Sequence, residues 1–292
     1  MHELLTRAGI TAPIDHIHAF NSSQSQHVLR VSLIDGSRYV TKIVPKKHRD
    51  RLNTEASGLN ALKTSGHLLV PIVRQVGLID EYAVLLMDEL IPAGTELSDD
   101  EVWKQFGFDL AAHHQTACAS SYGWDDNNFI GPTPQPNARC RDWVEFNATH
   151  RLGYQTTRAE QAGLIDKHDS DTLHRIVQSL DQFIPRHPNP ALLHGDLWSG
   201  NAIRTRSDGT ARVGLIDPAV YVGDAWADIA MMRLFGGFPE VLFEAYSERQ
   251  DDHEMLETRV QVYQLYHLLN HLNIFGSGYH RSVLNIANRL TR

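Results

Sequence analysis

The stretch Leu192-Leu193-His194-Gly195-Asp196-Leu197-Trp198-Ser199-Gly200-Asn201 decides how the whole chain is interpreted. Within it, Asp196 and Asn201 have the D-x-x-x-x-N spacing of a phosphoryl-transfer loop, in which the carboxylate orients an attacking hydroxyl and the amide oxygen holds a metal ion. Leu215-Ile216-Asp217 follows and supplies a second acid for that metal. The sequence therefore predicts a phosphoryl-transfer centre with Asp196 as the catalytic base.

The segment between Asn201 and Asp217 indicates how these side chains can meet. Residues 202–206 and 212–216 are strand-like, and Ser207-Asp208-Gly209-Thr210 between them carries a strong turn signal. Folding this hairpin brings its two ends to about 5 Å from each other across an antiparallel pair. Magnesium prefers oxygen ligands and usually takes only one or two from protein carboxylates. Asn201 and Asp217 are therefore predicted to bind Mg²⁺.

Length, charge and cysteine content limit the protein class. The 292 residues allow a sizeable core, in one large domain or in two lobes. The formal net charge of -8 argues against nucleic acid as a partner, since such proteins usually display a basic patch. Cys118 and Cys140 form no C-x-x-C pair, which indicates neither a disulfide scaffold nor a zinc ribbon.

The N-terminus and the hydropathy pattern indicate where in the cell the protein is located. Residues 1–6 lack the basic start and apolar run of a signal peptide, and no stretch has the length of a membrane span. We expect a cytoplasmic protein without a membrane partner. The sequence does not indicate an oligomeric state.

Residues 1–90 are predicted to form a small nucleotide-binding lobe. Its predicted elements are a hairpin of residues 28–33 and 38–44 around Asp35-Gly36, a helix over 53–62 and an apolar strand over 82–87.

Lys42 lies on the second strand of this hairpin and Glu55 lies on the helix. A strand lysine and a helix glutamate form the ion pair that positions nucleotide phosphates in kinase-like folds. An isolated lysine and glutamate at this spacing would more often be surface charges. The order of strand lysine, helix glutamate, apolar strand, catalytic loop and metal acid along the chain favours the ion pair.

Residues 88–94 follow the apolar strand and are interpreted as the connector between the lobes, with nucleotide beneath it. Asp88 and Leu90 are predicted to present a backbone carbonyl and a backbone amide to adenine. Met87 is predicted to form the back of this pocket.

Residues 91–292 are predicted to form a larger, mostly helical lobe that carries catalysis and substrate binding. The fold class is therefore α+β, a two-lobed protein-kinase-like fold with a small antiparallel-sheet lobe. Apolar residues at helical spacing predict helices over 102–117, 143–162, 170–183, 225–235, 240–249 and 254–275, and a last one from His280.

The motifs resemble those of the fructosamine kinase (ketosamine 3-kinase) family over essentially the whole chain. The run from His194 to Pro239 is specific, whereas the histidine-glycine-aspartate loop alone indicates only a wider group that includes aminoglycoside and choline kinases. The segments that carry the resemblance are residues 194–201, 217–224, 227–231 and 234–239, and the middle motifs Tyr122-Gly123-Trp124, Asn128-Phe129-Ile130-Gly131, Thr133-Pro134-Gln135-Pro136-Asn137 and Trp143.

This resemblance implies an ATP-dependent kinase that phosphorylates a sugar hydroxyl of a small-molecule or protein-bound ketosamine, in the repair of glycated amines. By matching positions, Asp196 is the base, Asn201 and Asp217 bind magnesium, and Lys42 with Glu55 positions phosphate. Trp198, two residues after the base, is expected either to stack on a sugar or amine substituent of the substrate or to be an ordinary core aromatic, and Asp224 is placed on the substrate side. Asp228 is expected to brace the catalytic loop through hydrogen bonds.

The chain departs from the family in its phosphate loop. The family usually has a glycine pair there, whereas Phe20-Asn21-Ser22-Ser23-Gln24-Ser25-Gln26 contains none. Glycine lets backbone amides approach phosphate closely. Ser22 and Ser23 can still turn and offer side-chain donors, so they are predicted to contact the nucleotide.

Two alternative functions stay open from the sequence. One is a related kinase for another hydroxyl, as in an aminoglycoside, choline or a sugar alcohol. The other is a nucleotide-binding regulator without catalysis, which the glycine-free loop favours and the complete set of catalytic residues disfavours.

Overall fold

The computed structural model describes residues 2–22, 26–93, 99–207 and 209–291. Its strands are β1 (Ile14–Ser22), β2 (His27–Leu33), β3 (Arg38–Pro45), β4 (Val73–Ile79), β5 (Tyr82–Asp88), β6 (Asn128–Ile130), β7 (Thr133–Gln135), β8 (Pro190–Leu193), β9 (Ala202–Ser207), β10 (Thr210–Leu215) and β11 (Tyr221–Asp224). Its α-helices are α1 (His2–Arg7), α2 (Arg49–Lys63), α3 (Asp99–Gln115), α4 (Trp143–His150), α5 (Leu152–Gln161), α6 (Lys167–Gln178), α7 (Trp226–Phe235), α8 (Glu240–Ser247), α9 (Leu256–Phe275) and α10 (His280–Leu290).

The chain divides into two compact units. The first unit consists of Met1–Val102 and Asn201–Pro218, and the second consists of Trp103–Gly200 and Ala219–Arg292. Strands β1–β5 and the hairpin β9–β10 lie in the first unit, and most helices lie in the second. The α+β class predicted from the sequence is confirmed.

The first unit is built on a five-stranded antiparallel sheet with the strand order β1-β2-β3-β5-β4. The predicted hairpin of β2 and β3 is confirmed. Its turn has Gly36 at a φ of +87°, which glycine adopts without a steric penalty, and the Asp35 carboxylate accepts the Ser37 amide at 2.9 Å. Lys42 lies on β3, which is paired on both sides and is therefore held firmly.

Neither β1 nor β4 is predicted from the sequence, and these are the two edge strands of the sheet. His16 and His18 of β1 are exposed, as are Gln75 and Leu78 of β4. Because edge strands mix exposed polar and apolar residues, they lack the apolar run from which a strand is usually predicted.

Helix α2 packs on this sheet through one face. Leu52, Ala56, Leu59 and Leu62 are buried, and this three- and four-residue spacing is that of one helical stripe. The predicted helix is confirmed and is longer than expected. It carries Glu55 towards β3, where it meets Lys42.

The hairpin β9–β10 is confirmed, with Leu215 paired to Ala202 at its open end. Hydrogen bonds tie it to the rest of the first unit. The Leu215 amide donates to the Leu69 carbonyl at 2.8 Å, and the Ala93 amide donates to the Arg204 carbonyl at 2.9 Å. The hairpin is therefore part of the first unit, although it follows the loop of residues 194–201 in the sequence.

The predicted helices of the second unit are confirmed with one correction. Residues 143–162, predicted as one helical stretch, form two helices that meet at Arg151, which has φ -123° and ψ -94°. The buried Arg151 guanidinium donates to the Pro136 carbonyl at 2.7 Å and to Asn137 Oδ1 at 2.6 Å, and lies 4.0 Å from the Tyr221 ring centroid. Because these partners lie outside the helical segment, apolar spacing alone misses the break.

Within the described ranges, every helix is too short or too polar to cross a membrane.

Candidate active site

A buried lysine contacts two carboxylates in the first unit. Lys42 Nζ lies 2.7 Å from Glu55 Oε1 and 2.6 Å from Asp217 Oδ1. Only 5% of Lys42 is exposed. The ion pair between the strand lysine and the helix glutamate is therefore present, and the same ammonium also reaches the acid that follows the hairpin.

Burial and charge act in opposite directions on the pKa of Lys42. Burial lowers this pKa, but the Glu55 and Asp217 carboxylates raise it by more, so the net shift is upward. Burial raises the pKa of Glu55, and the Lys42 charge offsets only part of that increase. Lys42 is therefore protonated at neutral pH, and two acidic groups face one ammonium.

The end of the hairpin brings Asn201 and Asp217 together, as predicted. The Ile216 amide donates to the Asn201 carbonyl at 3.0 Å. Asp217 has a φ of +55°, a left-handed conformation that few residues other than glycine adopt and that often occurs at functional sites. Metal binding by these two residues stays a prediction.

A cavity of about 280 Å³ lies beside Lys42 and Asp217, and both residues line it. The predicted nucleotide residues Met87, Asp88 and Leu90 line the same cavity. Most of the remaining wall is apolar and consists of Phe20, Val28, Val40, Pro71, Pro92, Ile203 and Ile216. The first unit thus combines an apolar recess with a cation and an acid, which is the composition that a base with attached phosphates requires.

Asp88 and Leu90 were predicted to bind adenine through their backbones, and Asp88 already makes contacts within the protein. The Asp88 amide donates to the Ile72 carbonyl at 3.0 Å, and the Asp88 side chain binds Arg74 with two hydrogen bonds of 2.6 and 2.7 Å. The role predicted for Asp88 uses its carbonyl, which these contacts do not involve. Hydrogen bonds from Asp88 and Leu90 to a base stay predictions.

The glycine-free loop begins at the end of β1. The Ser22 backbone pairs with His27 in the β1–β2 ladder, and Ser23 lies outside the described residues. Contacts of Ser22 and Ser23 with phosphate therefore stay predictions.

In the second unit, Asp228 holds the backbone that leads to Asp196. Its Oδ2 accepts the His194 amide at 2.8 Å, and its Oδ1 accepts the Gly195 amide at 2.9 Å. Asp228 is 1% exposed. The expected bracing of the catalytic loop is confirmed.

Gly195 is required by the geometry of this loop. Its φ is +81°, and an added Cβ would lie 2.1 Å from the Ala219 carbonyl oxygen. The Ala219 amide donates to the His194 carbonyl at 2.8 Å, so the two segments are held in close contact. A side chain at position 195 would force the segment after Asp217 away from the loop.

His114 and Tyr246 extend the support of Asp228, and both were missed in the sequence. His114 Nε2 donates to Asp228 Oδ2 at 3.2 Å, and His114 Nδ1 lies 2.9 Å from the Tyr246 hydroxyl. Burial raises the pKa of Asp228, but its bond with His114, the nearby histidines and the Gly195 amide lower it by more. These residues lie on distant helices without a motif of their own, so no local signal identifies them.

The polar residues of the middle motif hold the segment that follows Asp217. Asn128 Nδ2 donates to the Val220 carbonyl at 2.7 Å, and Gln135 Nε2 donates to the Ala219 carbonyl at 3.0 Å. The Tyr266 hydroxyl donates to Gln135 Oε1 at 2.7 Å. The motif was visible in the sequence, but its role as a support appears only with these contacts.

Trp198 and Asp224, both placed on the substrate side, have different surroundings. Trp198 is 42% exposed, and its ring covers Gly200, where an added Cβ would lie 2.2 Å from the indole. It is therefore not a core residue.

Asp224 is buried, and its carboxylate pairs with Arg259 and accepts the Tyr263 hydroxyl. Both Asp224 oxygens are used within the protein, which leaves this residue a structural role.

The chain matches the fructosamine kinase family over residues 4–292. A Synechocystis protein whose name contains ketoamine kinase is 36% identical over 262 residues, which are 89% of this chain and 85% of that protein. A chloroplastic protein-ribulosamine 3-kinase of Oryza sativa subsp. japonica is 33% identical over 264 residues, 88% of this chain and 74% of that protein.

Solved structures agree with these sequence matches. A crystal structure from Thermobifida fusca whose name contains fructosamine-3-kinase has a TM-score of 0.85 at 30% identity, covering 99% of this chain and 98% of that one. An aminoglycoside phosphotransferase APH(4)-Ia complex with AMP-PNP and hygromycin B has a TM-score of 0.65 at 15% identity, covering 98% and 96%, which shows a shared phosphotransferase fold. The chain belongs to the fructosamine kinase family, and the predicted family, kinase-like fold and phosphotransferase class are confirmed.

Proposed function

We propose, from membership of the fructosamine kinase family, that this protein transfers the terminal phosphate of ATP to a sugar hydroxyl of a ketosamine, with Mg²⁺ as cofactor. A ketosamine forms when a sugar glycates an amine, so the reaction belongs to the repair of glycated amines. The observation that carries the proposal is the Lys42 ammonium between Glu55 and Asp217 at the wall of an apolar cavity. The relatives named for ketoamine and ribulosamine substrates support the choice of acceptor.

The cavity residues suit a purine nucleotide. Met87 and the other apolar lining residues offer a face for the base, and Lys42 offers a protonated donor for phosphate oxygens. A lysine between a helix glutamate and the nucleotide phosphates is the arrangement that kinases use. An AMP-PNP complex of a protein with the same fold supports ATP as the donor.

Asn201 and Asp217 would hold the metal ion. Both supply hard oxygen donors, which Mg²⁺ requires, and the acidic groups of the Lys42 cluster outnumber its cation. No group of three or more His, Cys, Asp or Glu side chains in the described part of the chain is arranged for a metal, and a magnesium site completed by water and phosphate does not need one. When bound, Mg²⁺ neutralises the charge of the phosphate oxygens.

Asp196 would receive the proton of the attacking hydroxyl. In this step the sugar O–H bond breaks, a bond forms from that oxygen to the terminal phosphorus, and the bond from that phosphorus to ADP breaks. Asp228 supports this role because it fixes the His194 and Gly195 amides just before Asp196. Catalysis in such centres is mostly positioning and electrostatic stabilisation.

A substrate panel tests the proposal. ATP consumption is measured with ribulosyl-lysine, fructosyl-lysine and an aminoglycoside, and phosphorylated product is identified by mass spectrometry. We expect phosphorylation of at least one ketosamine and none of the aminoglycoside. Phosphorylation of the aminoglycoside alone would favour a related small-molecule kinase, and ATP binding without any product would favour a regulator.

A further inference from the structure

A basic segment between β3 and α2 has no role in the chemistry described above. Its positively charged or titratable residues are Lys46, Lys47, His48, Arg49 and Arg51. Asp50 is the one acid among residues 46–51, whereas the chain as a whole carries a formal net charge of -8. Residues 46–48 form a short 3₁₀ helix directly after β3, and α2 begins at the next residue. The segment is therefore a positive region at the start of α2.

A cavity of about 450 Å³ opens beside this basic segment, and its wall consists of His27, Pro45, Lys46, Lys47, Glu81 and Tyr82. These residues lie at or next to the ends of three strands, because His27 begins β2, Pro45 ends β3 and Tyr82 begins β5. Strand β3 pairs with both β2 and β5, and paired strands are about 4.8 Å apart, so the three strand ends span about 10 Å. Among the described residues, none lines both this cavity and the one beside Lys42.

The charged side chains of this cavity are available to a ligand. Lys46, Lys47 and Glu81 are all exposed. In the described ranges, none of these three side chains makes an ion pair or a hydrogen bond, although ammonium and carboxylate groups line the same cavity. The Lys46 amide donates to the Glu81 carbonyl at 2.8 Å. The backbone of the wall is thus fixed, while its charges stay unpaired.

The mixture of groups indicates the chemistry of the ligand. Two unpaired ammonium groups suit a dianion, and lysine is a common ligand of phosphate. The Glu81 carboxylate only accepts hydrogen bonds, so it suits hydroxyl groups on the same molecule. Tyr82 is 45% exposed and offers an aromatic face to the apolar side of a sugar ring. A nucleic acid would instead require a basic stripe along the surface.

We propose that the cavity of Lys46, Lys47, Glu81 and Tyr82 binds a sugar phosphate at a site separate from the nucleotide cavity. The phosphate lies between the two lysines, and sugar hydroxyls donate to Glu81. A volume of about 450 Å³ is in the range of small-molecule sites and accommodates such a ligand.

Occupation of this site acts on α2. Cations near the N-terminus of a helix oppose the helix dipole, whereas an anion there is favourable. A bound phosphate therefore offsets the charge of the basic segment and stabilises the first turn of α2. Because the same helix carries Glu55 to Lys42, the sugar phosphate stabilises the ion pair from outside the nucleotide cavity. The site is thus a regulatory one.

Calorimetry on the full chain without nucleotide tests this assignment, with fructose 6-phosphate as the probe and inorganic phosphate for comparison. We expect fructose 6-phosphate to bind about tenfold more tightly, because its hydroxyls add hydrogen bonds. Lys46→Gln and Lys47→Gln should each weaken its binding about fivefold or more, since each removes a charged donor. Glu81→Ala should weaken the binding of fructose 6-phosphate but not that of inorganic phosphate.

Lys63→Gln is the matched control, because Lys63 is an exposed lysine at the opposite end of the same helix. Its Kd for fructose 6-phosphate should stay within about twofold of wild type, as for an isolated surface charge. Amide hydrogen exchange locates the ligand: fructose 6-phosphate should slow exchange in the first turn of α2 in wild type, and not in Lys46→Gln.

Three results would overturn the assignment of this site. They are no binding of fructose 6-phosphate to wild type, equal affinities for fructose 6-phosphate and inorganic phosphate, and unchanged affinity in both Lys46→Gln and Lys47→Gln. Because these measurements use neither ATP nor a ketosamine, they are independent of the proposed kinase activity.

Discussion

Lys42 Nζ lies 2.6 Å from Asp217 Oδ1. This contact links β3, the central strand of the sheet, to the residue two positions after the end of β10. The same ammonium holds Glu55 at 2.7 Å. One cation thus faces two acids, and a further positive charge would complete the balance. This relationship gives the cluster a structural role, and its excess of acid is what the proposed magnesium site requires.

Lys42→Met should abolish most activity and weaken the fold. Removing one partner of a buried ion pair leaves an uncompensated carboxylate, here Glu55, and we expect a loss of about 3 kcal/mol in the free energy of unfolding. Turnover should fall by about a hundredfold or more, as for other preorganised charge-stabilising groups. Urea unfolding and the coupled kinase assay measure the two effects.

The double variant Lys42→Met with Glu55→Gln separates these effects. It should recover most of the lost stability, because the partly buried Glu55 carboxylate is gone, but none of the activity. Recovery of activity in the double variant would show that Lys42 has only a structural role.

Gly195→Ala should disrupt the catalytic loop. Its Cβ would clash with the Ala219 carbonyl at 2.1 Å, whereas Gly209, with a similar φ of +77°, has no atom near such a Cβ. We expect Gly209→Ala to cost about 1 kcal/mol from backbone conformation alone, and Gly195→Ala to cost clearly more and to reduce turnover. Equal unfolding free energies and equal turnover for the two variants would contradict the steric account.

Asp228→Asn should lower turnover while nucleotide binding is kept. The two Asp228 oxygens each accept one amide, from His194 and from Gly195, and asparagine replaces one of these oxygens by an NH₂ group that can only donate. We expect kcat to fall about tenfold to hundredfold, with the Kd for ATP within twofold of wild type, because the cavity is lined by first-unit residues. Equal losses in ATP affinity and kcat would indicate general unfolding instead.

His267 should make the protein less stable in mild acid. Burial lowers its pKa to about 3 in the folded state, against about 6.5 in an unfolded chain. Between these values the unfolded chain binds one more proton, so this group destabilises the fold by about 1.4 kcal/mol per pH unit as the pH falls from about 6.5. His267→Gln should reduce the slope of unfolding free energy against pH by this amount.

A slope in His267→Gln that equals that of wild type would show that the buried imidazole does not contribute.

The hairpins of this protein could be predicted because their signals are local. Asp35-Gly36 and the turn before Gly209 lie between strand-like segments, and the D-x-x-x-x-N spacing of Asp196 and Asn201 needs no tertiary information. Once the β9–β10 hairpin forms, the pairing of its strands brings Asn201 and Asp217 close to each other.

Other features depend on contacts between distant segments. The helix break at Arg151 is determined by Pro136, Asn137 and Tyr221, and the support of Asp228 by His114 and Tyr246 comes from separate helices. Such partners leave no periodic pattern in the sequence.

Asp224 was predicted to contact the substrate, and a distant partner again decides its role. Its carboxylate is neutralised by Arg259 inside the second unit, and no signal near Asp224 in the sequence indicates that partner.

Phosphorus NMR of the product formed from fructosyl-lysine and ATP, by wild type and by Asp196→Asn, tests the central claim most directly. We predict a new sugar phosphate signal with wild type, a rate at least a hundredfold lower with Asp196→Asn, and unchanged ATP binding in that variant. Near-native formation of the sugar phosphate by Asp196→Asn would contradict the assignment of Asp196 as the base, and absence of the signal with wild type would contradict the ketosamine kinase activity itself.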